Sequence, residues 1–244
     1  MKIIVSETLF EKIPGLCIGI VAARAVDNEH INMEAEAFRR RCCTEANLLL
    51  KLDSSLGTAE VAKYREALEK VGVTEGKSAL EKVLNEYKRL LGISELEENE
   101  EAPEMLPIPK KANLDELAGS DVLPRENSIM DIVRSGMLKF HVDIHAYDMG
   151  NRKKPLEIRE AGESFTVNLG DGVCTENWLC DDKEAGRITE ETENILVLIT
   201  GFPENRKKVA AARNELARRM KSAFDRAVEV GWLEGKDTEF ETEI

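Results

Sequence analysis

Ile195–Thr200 reads Ile-Leu-Val-Leu-Ile-Thr, an unbroken apolar run closed by Gly201-Phe202-Pro203. Six residues are too few for a buried helix. A strand with no polar face has to lie inside a sheet, with neighbours on both edges. Any fold for this chain must therefore supply a central strand late in the sequence. Shorter β-like runs stand at Lys2–Val5 and Leu16–Ala23, with a short helix over Glu7–Ile13 stopped by Pro14. Glu157–Arg159 and Ser164–Leu169 read as further strands turned at Ala161-Gly162.

Helical periodicity fills the intervals. Ile31, Ala35, Phe38, Cys42, Ala46 and Leu49 fall three or four apart and make one stripe of a long helix over Glu29–Leu52. A second helix follows Thr58, with Val61, Tyr64, Leu68 and Val71 inward, and a third runs over Ser78–Leu91. Asn127–Lys139 is helical, and Asn205–Val230 reads as a long final helix with Val209, Ala212, Leu216, Met220, Phe224 and Ala227 inward. Strands interleaved with helices of unequal length predict an α+β fold, not a regular βαβ series. The 244 residues fit one enlarged domain. Within it, 94–109 reads as an acidic, proline-rich loop and 234–244 as a frayed end.

The chain has 47 acidic and 34 basic residues, a formal charge of -13 and a pI near 4.9. That excludes a general nucleic-acid coat, which needs a broad basic surface to release counterions. Five cysteines without a C-x-x-C pair read as free thiols. With no signal-like N-terminus and no long apolar run, a soluble, cytoplasmic protein is expected.

Three groups of residues point to chemistry. Phe140–Ala146 alternates, placing His141, Asp143 and His145 on one face of an expected strand, where they offer ligands for zinc or iron. A plain polar strand face is the alternative. Asn205–Arg226 carries eight basic residues against Glu215 and Asp225, so Arg213, Arg218 and Lys221 are candidates for an RNA backbone. A solvated helix face is the alternative, and no aromatic residue is interleaved among these cations to stack on bases. Asp181-Asp182 reads as an acidic turn that could take a cation. Phosphate-loop and dinucleotide fingerprints are missing, so no cofactor is expected.

From Asn127 to Phe202 the chain resembles the tRNA-binding and editing domain of the phenylalanyl-tRNA synthetase beta subunit and its stand-alone relatives. Asn127-Ser128-Ile129-Met130-Asp131 resembles the family's Asn-Asn-Val-Val-Asp, and His145-Ala146-Tyr147-Asp148-Met149 its His-Ala-Phe-Asp-Leu at the same separation. Ile158-Arg159, Gly162-Glu163 and Leu169–Gly172 follow in order, and Glu184–Val197 resembles the closing Glu-x-Ser-x-Val-Thr segment. Arg134 stands where the family has Asn, and Asp182-Lys183 where it has Gly-Gly. The resemblance implies mixed β-layers flanked by helices and hydrolysis of a mischarged aminoacyl-tRNA ester. His145 would place the water or ester, and Glu184 would read the amino-acid side chain. Asn127, Tyr147, Asp148 and Thr189 would bind substrate. The implied partner is tRNA or aminoacyl-tRNA, with neither DNA nor a membrane. A non-catalytic module for an amino-acid-like ligand or a protein partner is the rival expectation, and a metal-dependent hydrolase the third.

Overall fold

The computed structural model describes residues 1–93, 123–150, 154–180, 183 and 185–242. The predicted loop at 94–109, Asp181-Asp182 and Glu184 lie outside the described residues.

Among the described residues nine strands form two sheets. β1 (Lys2–Val5), β4 (Leu156–Ala161), β5 (Ser164–Leu169), β6 (Gly172–Thr175) and β9 (Glu239–Glu241) make the first, in the order β6-β5-β4-β1-β9. Only its β1–β4 pair is parallel. The second is antiparallel throughout, in the order β3-β7-β2-β8, from β2 (Cys17–Ala23), β3 (Asp143–Asp148), β7 (Ile195–Gly201) and β8 (Val228–Glu234). The expected central strand is β7, buried at every position between β3 and β2.

The described helices are α1 (Glu7–Lys12), α2 (Met33–Leu52), α3 (Thr58–Lys70), α4 (Ala79–Leu90), α5 (Ser128–Phe140) and α6 (Arg206–Phe224). The fold is α+β, as predicted. α5 and α6 cover one face of the second sheet. At Gly136 of α5 an added Cβ would meet Leu216 of α6 at 2.7 Å and Ile144 of β3 at 3.1 Å, so the missing side chain lets three elements meet. On the opposite face β9 of the first sheet crosses at Gly231, where a Cβ would meet the Phe240 ring at 2.5 Å. The result is three layers: helices, the second sheet, then the first. One contiguous apolar core runs through them, from Ile3 and Val5 to Leu216 and Leu233.

Four sequence expectations change. Phe140 ends α5 and His141 caps it in the left-handed conformation (φ 52°), so the strand begins only at Asp143. The final helix stops at Phe224, where Asp225 takes the same conformation (φ 50°). The residues after it become β8, and 239–241 form β9 where a frayed end was expected. Both strands take their places by pairing with β2 and β1. Ile31 precedes α2, and both it and Leu49 are exposed; the buried apolar stripe of the helix is Ala35, Phe38, Cys42, Cys43, Ala46 and Leu50.

Candidate functional site

Cross-strand register sorts the side chains of β3. Ile144 opposes Ile199, which opposes Gly19, whose Cβ position faces Val209 and Arg213 of α6. Ile144 and Ala146 therefore face α5 and α6, while Asp143, His145 and Tyr147 lie on the opposite face of the sheet. All three are buried, at 0%, 4% and 2% exposure.

Asp143 is held from three sides. Its N–H donates to the Tyr64 hydroxyl at 2.9 Å, and its Oδ2 accepts the N–H of Leu80, in the first turn of α4, at 3.3 Å. A carboxylate suits that place, because the first N–H groups of a helix lack internal partners and carry partial positive charge. Its Oδ1 lies 2.7 Å from His145 Nε2. The approach is out of line with the ring N–H, and neither ring nitrogen makes a hydrogen bond among the described residues. Two members of the expected triad thus meet. The third does not: His141 belongs to the helix cap, and burial pulls its pKa below the ordinary value. Among the described residues no group of three His, Cys, Asp or Glu side chains could hold a metal ion.

A cleft of about 470 Å³ opens between α4, α5 and the residues Lys183, Arg187 and Ile188. Val83, Met130, Met137 and Ile188 provide apolar wall. Lys82, Arg134, Lys183 and Arg187 bring four cations, against Glu86 and Glu126. Arg134 is ion-paired with both glutamates, so its guanidinium is held in place across the cleft. Ser78 caps α4 by accepting the Glu81 N–H, and Asn127 caps α5 by accepting that of Met130. These caps aim the two helices that form the walls.

His145 does not line this cleft but stands behind it. Its ring lies 6.3 Å from that of Tyr147 in a near-parallel stack, and Lys183, a cleft residue, sits 4.8 Å over the Tyr147 ring. Lys183 also donates to the Ala146 carbonyl at 2.8 Å, tying the cleft wall to β3. The other expected residues scatter. Asn127 serves its helix cap, flanked by the cleft residues Glu126 and Met130. Asp148 accepts from Thr192 at 2.9 Å and from the Gly150 N–H at 2.7 Å. Thr189 is exposed beside Ile188. The α4 residues escaped the sequence reading because the helix is far away in the chain. Their only signal was its amphipathic pattern, in which the exposed Lys82 and the half-buried Glu86 sit one turn apart.

The RNA candidates on α6 also divide. Arg218 is clamped by Glu215 through bonds of 2.7–3.1 Å, whereas Arg213 makes no ion pair among the described residues and lies 5.5 Å over the Trp232 ring. Lys221 is exposed. No described helix is long and apolar enough to cross a membrane. No protein-family model matches the chain, and no curated protein is significantly similar to it.

Proposed function

We propose that the chain binds the aminoacyl end of a tRNA, with the aminoacyl group in the cleft between α4 and α5, and deacylates mischarged ends in trans. The observation that carries this is the make-up of the cleft. Methionine and aliphatic wall suits an amino-acid side chain, the glutamates an ammonium group, and the four cations a phosphate-bearing ester. The resemblance of Asn127–Phe202 to the synthetase editing domain supports the same reading.

An aminoacyl ester is already activated, so hydrolysis needs an oriented water more than a strong nucleophile. His145 is the candidate base. Both its ring nitrogens are without hydrogen bonds among the described residues, and the Asp143 side chain lies 2.7 Å from its Nε2. Tyr147 and Lys183 connect it to the cleft.

Deacylation of a panel of mischarged tRNAs tests this. Wild type should exceed buffer, and His145→Ala should slow the reaction by about 10²-fold or more, the usual contribution of a positioned base. Arg134→Ala should weaken substrate binding. Hydrolysis no faster than buffer, with tyrosine or phenylalanine still raising the Tm, would replace this reading by a non-catalytic amino-acid-binding module. The buried position of His145 is the observation that favours that second reading.

A further inference from the structure

α6 presents two different sides to solvent. On one, Lys208 pairs with Glu60, and the buried Arg219 with Glu215. On the other, bordering β8, helical spacing lines up Arg206, Ala210, Arg213 and Ala217, with Lys207, Ala211, Asn214, Arg218 and Lys221 in the next row outward. Neither row contains an acid. The acidic side chains set against them are Glu234, which takes Arg206 and accepts the Trp232 indole N–H, and Glu215, which takes Arg218.

The strand beside these rows adds an apolar floor. Trp232 opposes Gly19, so Val228, Val230 and Trp232 share the face turned toward α6. β8 is the outer strand of its sheet, so this face runs out to the sheet's edge. Val230 is 44% exposed and Trp232 is half-buried. Arg206 and Arg213 stand 5.2 and 5.5 Å from the indole, and Arg213 also donates to the Gly231 carbonyl. The sequence places no aromatic among these cations; the fold does.

We propose that this strip binds single-stranded RNA. An unpaired base stacks at Trp232 and Val230, while the adjoining phosphates meet Arg213, Lys207 and Lys221. The chemistry favours this partner: cations alone attract any polyanion, but cations flanking a half-buried aromatic at a sheet edge fit a strand whose phosphates alternate with flat bases. A net charge of -13 disfavours non-specific binding of RNA elsewhere on the chain. The inference builds on the proposed tRNA reading and supplies the contact outside the aminoacyl cleft.

The chain has two tryptophans, and Trp178 is 3% exposed, so Trp178→Phe leaves Trp232 as the sole fluorescent reporter. A short single-stranded RNA ending in CCA should quench it and bind more weakly as salt rises. Trp232→Leu should cost about fivefold or more in affinity, the lower end of a lost base stack. Because Trp232 is partly structural, Lys207→Glu and Lys221→Glu provide the second arm. Both sites are exposed, and each change should lower the slope of log affinity against log salt by about 0.7 or more. No quenching, or salt slopes unchanged in both lysine variants, overturns the strip. So does equal quenching by polyglutamate, which would indicate an acidic protein partner. Tyrosine uptake by the cleft, read as a Tm shift, separates the two proposals. Uptake without RNA quenching refutes the strip alone, and loss of both refutes the tRNA reading with it.

Discussion

Replacing Tyr64 with phenylalanine removes a single oxygen, but that oxygen joins three elements. The hydroxyl donates to the Thr200 carbonyl at the end of β7 and accepts the Asp143 N–H at 2.9 Å, with Asn205 Nδ2 at 3.4 Å. Burial pushes the phenol well above its ordinary pKa, so it remains a proton donor at every working pH. Tyr64, Asp143 and Thr200 are 0%, 0% and 2% exposed, so water does not replace the lost partner. The Phe202 ring, 5.1 Å from that of Tyr64, keeps its contact in the variant, which isolates the hydrogen bonds. An orphaned buried donor or acceptor costs about 1–3 kcal/mol, and two strong partners are orphaned here, so a loss of about 2–4 kcal/mol is expected. At about 2–4 °C per kcal/mol for a chain of this size, the Tm should fall by about 4–16 °C in a calorimetric scan. The variant should also loosen the start of β3, so exchange of the Asp143 amide proton should speed up. A Tm within about 1 °C of wild type would refute the network, since no relaxation could re-pair both groups so cheaply.

Three other perturbations are informative. His141 is buried at a left-handed helix cap with its pKa depressed, so the unfolded chain takes up the proton first. Stability should therefore be whole above pH ~6.5 and decline as pH falls through that value toward the folded pKa. His141→Asn, which suits the same backbone, should flatten that decline in Tm scans between about pH 7.5 and 5; parallel curves would contradict it. Asn32→Ala removes the cap that accepts the Glu34 and Ala35 N–H groups and the bond from Nδ2 to the Ala223 carbonyl. A loss of about 1–2 kcal/mol in urea unfolding is expected, against none if the cap is dispensable. All five cysteines are buried, and burial raises the Cys17 and Cys42 thiols to about 12. Ellman's reagent should label neither in the native protein and all five after denaturation; fast native labelling of either would show the core to be open.

The central strand, the paired strands on either side of Gly162 and the buried stripe of α6 were legible because each follows from local apolar periodicity. His145 was legible as a candidate, and so was its neighbour Asp143. Its distance from the cleft was not, because one residue's burial depends on what the other layers place over it.

The boundaries that failed share a cause. His141 and Asp225 end helices by adopting positive φ without glycine, and no periodicity announces such a stop. β8 and β9 are strands because β2 and β1 offer open edges, a fact located elsewhere in the chain. The acidity of the whole and the cations on α6 belong to the sequence alone, since charge is counted residue by residue. Pairing those cations decided their meaning, and pairing is tertiary. Glu215 and Glu60 neutralise one side of the helix, while β8 carries Trp232 up against the other. In the same way α4 and α5, separated by dozens of residues, become the two walls of one cleft only when β3 gives both a surface to pack on.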